Sequence, residues 1–266
     1  MSDRGYAWVI LAWIGSILAM VVVRLLTSQR VRYERIDAIG GSFLLSQRVM
    51  EAGYSTIQPM VRALVAVGVT ADMLTWGSLL FGAGAGLALA SGAFGLGALL
   101  GTISMTADAL DGMVARATAT TCDSGEVLDA AVDRYTEFFF IGGLAFHYRP
   151  DPRAYGVAMF ALLGALMISY SSAKAEAMAV TAPKGAMRRH ERAAYLVCGA
   201  VAAAFTGPWE QARFGHRIGV PMLVALGVIA VVANLTAIRR LTAIAKAVGE
   251  KERAARAVPV PAERSP

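Results

Sequence analysis

Residues 107–139, ADALDGMVARATATTCDSGEVLDAAVDRYTEFF, hold the side chains best suited to chemistry. Asp108 and Asp111 are three positions apart and share one face of a helix; Asp129 and Asp133 are four apart and share a face of the next. A turn near residues 118–124 lets the two acidic faces meet as an antiparallel pair. Carboxylates gathered this closely repel one another unless cations sit among them, and such hard oxygen ligands suit Mg²⁺ or Mn²⁺. Two ions about 3.5–4 Å apart form a clamp for phosphoryl chemistry. Gly112 and Ala115 leave the first helix open to a ligand, and Gly125 does the same where the second begins. Arg116 offers a forked donor to a pyrophosphate. Together these residues describe a nucleotide-diphosphate site.

The elements that must position them are set by composition. The chain has 266 residues, 56% of them hydrophobic and 17% charged, with mean hydropathy +0.54. A soluble domain usually carries about 25% charged residues, so lipid must cover much of this surface. The expectation is an all-α integral membrane protein. A first span covers residues 7–23, with Arg24, Arg30, Arg32 and Arg35 behind it placing its end in the cytoplasm. Residues 43–67 mix apolar residues with Arg48, Glu51 and Arg62, which suits a helix lying on the membrane face, and Pro59 is expected to break or bend it. Six spans follow, at residues 73–91, 93–116, 125–147, 155–180, 193–206 and 220–238. The fifth is short and bounded by a loop, GPWEQARFGHR; the first contains GAGAG at 82–86, which allows close helix packing. This divides the chain into an N-terminal transmembrane helix and basic linker (1–42), an interfacial amphipathic segment (43–69), a catalytic membrane domain (70–240) and a basic, partly disordered cytoplasmic tail (241–266).

Against that background, four carboxylates at membrane depth stand out. Each costs about 2.5–3.5 kcal/mol on insertion scales, so the block implies a function. The net charge of +6 comes from basic residues between apolar runs and in the tail, which reads as topology and contact with anionic lipid rather than nucleic acid. Cys122 and Cys198 form no CxxC, and His147, His190 and His216 are scattered, so neither a disulfide framework nor a zinc site is supported.

From Asp108 to Asp133 the chain reads D-x2-D-G-x2-A-R-x8-G-x3-D-x3-D, eight fixed positions across one gap. In this it resembles the CDP-alcohol phosphotransferases over roughly residues 70–240. The resemblance implies a six-helix membrane core with a polar cavity facing the cytoplasm of a bacterial inner membrane, and a homodimer. Asp108, Asp111 and Asp129 would hold two divalent metals. Asp133 would contribute to that metal site or act as general base on the acceptor hydroxyl. Gly112, Ala115, Arg116 and Gly125 would line the CDP pocket. Residues 70–75 look like the family's T-P-N-x-x-T strip, departing at Ala71 and Asp72. The implied donor is a CDP-linked lipid of the CDP-diacylglycerol type, the acceptor a small alcohol, and the product released CMP.

The acceptor is suggested by YSSAKAE at 170–176 and GAMRRHER at 185–192, which are similar to stretches of the bacterial phosphatidylinositol phosphate synthases. Glu176 stands where arginine is common there, and Arg188 where glutamate is. Lys174, Arg188, Arg189 and Arg192 would bind a phosphate on the acceptor. A phosphatidylglycerophosphate synthase using glycerol 3-phosphate is the near alternative. A non-catalytic membrane scaffold or transporter is the alternative from another class. A prenyl-transferring enzyme would need two separated aspartate runs, and this chain has one compact block.

Overall fold

A computed structural model of the chain describes residues 1–27, 47–183 and 185–257. Arg30, Arg32 and Arg35, the Phe43 end of the interfacial segment, Lys184 and the tail beyond Ala257 lie outside the described residues. Among those described, the regular elements are all α-helices, the form that satisfies its own backbone hydrogen bonds in lipid. They are α1 (Asp3–Thr27), α2 (Gln47–Ala66), α3 (Ala71–Ala90), α4 (Phe94–Ala117), α5 (Asp123–Tyr148), α6 (Pro152–Ala177), α7 (Arg189–Phe214) and α8 (Val220–Ala257).

Four of them, α1, α3, α6 and α8, are long and apolar enough to cross a membrane. Helices α4 and α5 carry the motif acids, and α7 carries Arg189, Arg192 and Glu210; these charges interrupt the apolar runs of those helices.

Helix α3 packs on α4 and α5, α6 on α5 and α8, and α7 on α4 and α8. Small residues make these approaches close. A side chain at Gly86 would strike the Phe139 carbonyl, and one at Gly143 would strike the backbone of Gly86, so α3 and α5 touch backbone to backbone. Gly82 likewise faces Thr136. The main core runs through Leu89, Phe94, Ile141, Leu144, Met222, Leu226 and Ile229, all fully buried. A separate cluster of Val61 on α2 with Leu110, Met113 and Val114 on α4 braces the end of α4 that carries the motif. Helix starts are capped where the sequence offers oxygen: the Thr70 hydroxyl accepts from the Met73 amide at 3.2 Å, and Asp151 from the Arg153 amide at 2.9 Å.

Three elements depart from expectation. Helix α2 continues through Pro59 instead of breaking there. The loop expected at 207–217 is helical as far as Phe214, and α7 ends only at Gly215, whose φ of 76° is left-handed. The cause is Glu210: fully buried, it accepts hydrogen bonds from the amides of Ile218, Gly219 and Val220 at 2.8, 2.6 and 2.9 Å, capping the start of α8 from within α7. The last helix passes well beyond residue 238, so residues 241–257, expected as the start of the tail, continue α8.

Candidate active site

Helices α4 and α5 bring the acids of the motif together. One carboxylate oxygen from each of Asp108, Asp111 and Asp129 lies within 4.8 Å of the other two. Asp111 is 6% exposed, and the Thr75 hydroxyl donates to its Oδ2 at 2.7 Å, fixing the carboxylate from α3. Three convergent carboxylates, one locked from behind, form an all-oxygen donor set that fits a hard divalent cation. Asp133 stands outside this set, one turn further along α5.

Arg189, at the start of α7, supplies the counter-charge. It donates to both oxygens of Asp108 at 2.9 Å each. Its Nη2 also lies 2.6 Å from Oδ1 of Asp133, but off the N–H direction, so that buried oxygen receives no hydrogen bond from the described residues. The pairing with Asp133 is thus ionic and leaves an acceptor position open.

Two cavities flank this centre. The larger, about 750 Å³, is walled by Asp111, Asp129 and all four residues expected to line the CDP pocket: Gly112, Ala115, Arg116 and Gly125. The Arg116 guanidinium folds back over Gly112. Thr70, Ala71, Asp72, Thr75 and Cys122 also line it, so the strip that departs from the family pattern still faces the cavity. The size is that of a small-molecule site.

The smaller cavity, about 230 Å³, opens on the far side of Asp133 and Arg189. Arg188, Arg189 and Arg192 line it, whereas Lys174 is exposed on α6 and does not. Arg192 is already engaged: 1% exposed, it donates to both oxygens of Glu137, at 2.6 and 2.9 Å, and to the Met187 carbonyl at 2.6 Å. That last bond holds Met187 at a left-handed φ of 61° and sets the turn into α7. Arg192 therefore builds the cavity rather than facing into it unpaired.

Glu137 and Arg240 also line this cavity, and the sequence alone assigned neither a role at the site. Glu137 continues the ladder Asp129–Asp133–Glu137 at four-residue steps, a signal present in the sequence. Arg240 enters from α8: its Nη2 donates to Ser172 at 2.9 Å, and its buried Nε has no hydrogen-bond partner among the described residues. At the end of a span, Arg240 reads as a topology signal, and only the packing of α8 on α6 brings it to the site.

A profile of the CDP-alcohol phosphatidyltransferases matches residues 68–236. The chain is 28% identical over 204 residues to a phosphatidylinositol phosphate synthase of Cutibacterium acnes, across 74% of this chain and 96% of that protein. Its structure is similar to that of Mycobacterium tuberculosis phosphatidylinositol phosphate synthase in complex with manganese and citrate, with TM-score 0.62 and 26% identity, covering 70% of this chain and 87% of the other. The same enzyme with CDP-DAG bound superposes with TM-score 0.60 and 25% identity, over 70% and 92% of the two chains.

Proposed function

This chain belongs to the CDP-alcohol phosphatidyltransferase family, and on that premise we propose that it transfers a phosphatidyl group from CDP-diacylglycerol to an inositol phosphate, releasing CMP. One observation carries the proposal: a cavity of about 750 Å³ lined by Asp111 and Asp129 and an arginine-lined cavity beside Asp133 flank the acidic centre. The first suits the CDP donor, and the second a phosphorylated acceptor. The relatives named for phosphatidylinositol phosphate synthesis support the same pairing.

In this reading Asp108, Asp111 and Asp129 would hold two divalent cations, whose charge would neutralise the diphosphate and make CMP a better leaving group. Arg116, folded against Gly112, holds the diphosphate. Arg189, Arg188 and Arg240 orient the phosphate of the acceptor. Asp133 takes the proton from the acceptor hydroxyl. The hydroxyl oxygen bonds to the β-phosphorus, the bond to the bridging oxygen breaks, and that oxygen departs with CMP. Arg189 and Arg192 at the start of α7 and Arg240 of α8 lie at the same end as the motif, which supports a cytoplasm-facing site in a bacterial inner membrane.

Glycerol 3-phosphate carries the same phosphate handle. The test is lipid product formation by purified protein from CDP-diacylglycerol with inositol 1-phosphate, glycerol 3-phosphate, serine or free inositol. The expected product forms with inositol 1-phosphate; preference for glycerol 3-phosphate would reassign the acceptor, and preference for serine or free inositol would remove the role given to the arginines.

A further inference from the structure

Helix α1 lies outside the region matched to the family, yet it is fastened to the helix that carries Asp108 and Asp111. Helix α4 starts at Phe94, and Ala93 at its N-cap has no side chain able to accept a hydrogen bond. The first amides of a helix have no partner within it and need an oxygen from elsewhere. Asp3 provides one. Its Oδ1 accepts from the Gly95 amide at 2.7 Å and more weakly from the Leu96 amide at 3.4 Å. Its Oδ2 lies 3.5 Å from Nη1 of Arg217, in the turn that Glu210 secures.

The fit is close. Any side chain at Gly95 would collide with the Asp3 backbone. Just below, Ala7 and Ile10 are fully buried, and Trp8 meets Phe205 edge-on with ring centroids 5.1 Å apart. A helix serving only as a membrane tether needs no such register.

We propose that Asp3 is a positioning residue: it supplies the N-cap of α4 from outside the family region and so makes α1 a fixed member of the catalytic bundle.

The test is amide hydrogen exchange and thermal unfolding of the full-length protein in detergent. Asp3→Ala should speed exchange at Gly95 and Leu96 by about 5–10-fold and lower the melting temperature by about 2–4 °C. Asp3→Asn keeps an acceptor for the Gly95 amide but loses the pairing with Arg217, so it should restore most of the protection at Gly95. Unchanged exchange at these amides in Asp3→Ala, or no rescue by asparagine, would overturn the proposal. Should Asp3→Ala fail to insert, the docking is read instead from Trp8→Cys with Phe205→Cys in a chain whose Cys122 and Cys198 are replaced by serine. A short bismaleimide should join the two positions, and Gly95→Leu should abolish the link. Absence of the link, or a link indifferent to Gly95→Leu, would equally refute it.

Discussion

Nη1 and Nη2 of Arg189 meet Oδ2 and Oδ1 of Asp108 at 2.9 Å each, joining helices whose contact residues are 81 positions apart in the chain. The guanidinium therefore balances the acidic cluster from the side of the arginine-lined cavity, with Asp133 at 2.6 Å from the same Nη2. In the proposed mechanism, divalent cations would act on the same carboxylate cluster that Arg189 pairs with.

That shared role predicts the response to losing the arginine. Arg189→Gln leaves Asp108, Asp129 and Asp133 without their organic counter-charge, so the chelated protein should melt at a lower temperature than wild type. Added Mn²⁺ should then raise the melting temperature by more than it does in wild type, since a ligand that binds only the folded state stabilises it by about 2.7 kcal/mol at a hundredfold excess over Kd. An equal or smaller shift in the variant would show that the arginine does not balance these acids.

The separation of Asp133 from the three clustered acids predicts two distinct phenotypes. Asp133→Asn should lower kcat by about 10²–10⁴-fold while retaining the Mn²⁺-induced rise in melting temperature. Asp111→Asn should lose both. Calorimetry with Mn²⁺ alongside CMP-release kinetics separates them.

On the acceptor side, Arg240→Gln should raise KM for inositol 1-phosphate by about 10–100-fold, the loss expected for a hydrogen bond to a charged group, and leave KM for CDP-diacylglycerol nearly unchanged. A matching rise in both constants would place Arg240 in the architecture of the bundle instead.

The acidic motif was legible because helix periodicity aligns residues three and four apart within α4 and within α5; that the two faces converge depends on α3, against which both helices pack. Lys174 and the arginines of 188–192 were legible only as charges near one another in sequence. Which of them line the cavity depends on how α7 meets α5, and Arg192 turned inward because Glu137 lies 55 positions away at matching height. The length of α7 was hidden for the same reason. Gly207 and Pro208 signal a turn locally, whereas the amides that draw Glu210 into the helix belong to the start of α8. Asp3 is the extreme case, since its partner amide is 92 residues distant.

The buried Arg192–Glu137 pair carries a stability prediction. Glu137→Ala leaves a buried guanidinium without its carboxylate and should destabilise the protein by about 3–5 kcal/mol. Replacing both partners, as Glu137→Leu with Arg192→Met, should recover most of that loss in thermal unfolding. A double variant as unstable as the single one would mean that the Met187 turn depends on Arg192 itself.

Cys122 offers a chemical probe of the larger cavity. It is exposed at the cavity wall in the turn before α5, and the Ser124 hydroxyl, then the Gly125 amide, hold its pKa below the ordinary thiol value. In a Cys198→Ala chain, iodoacetamide should modify Cys122 with a rate profile displaced to lower pH than a free thiol, because the reactive thiolate is populated earlier. CDP with Mn²⁺ should slow the modification several-fold. Labelling indifferent to the nucleotide would place the CDP moiety elsewhere.

The most direct measurement is CMP release from CDP-diacylglycerol and inositol 1-phosphate by purified protein, first stripped with chelator and then resupplied with Mg²⁺ or Mn²⁺, beside Asp129→Asn treated identically. The prediction is release that vanishes on chelation, returns with the cation in wild type, and stays absent in the variant. Release that survives chelation, or that Asp129→Asn supports at the wild-type rate, would contradict it.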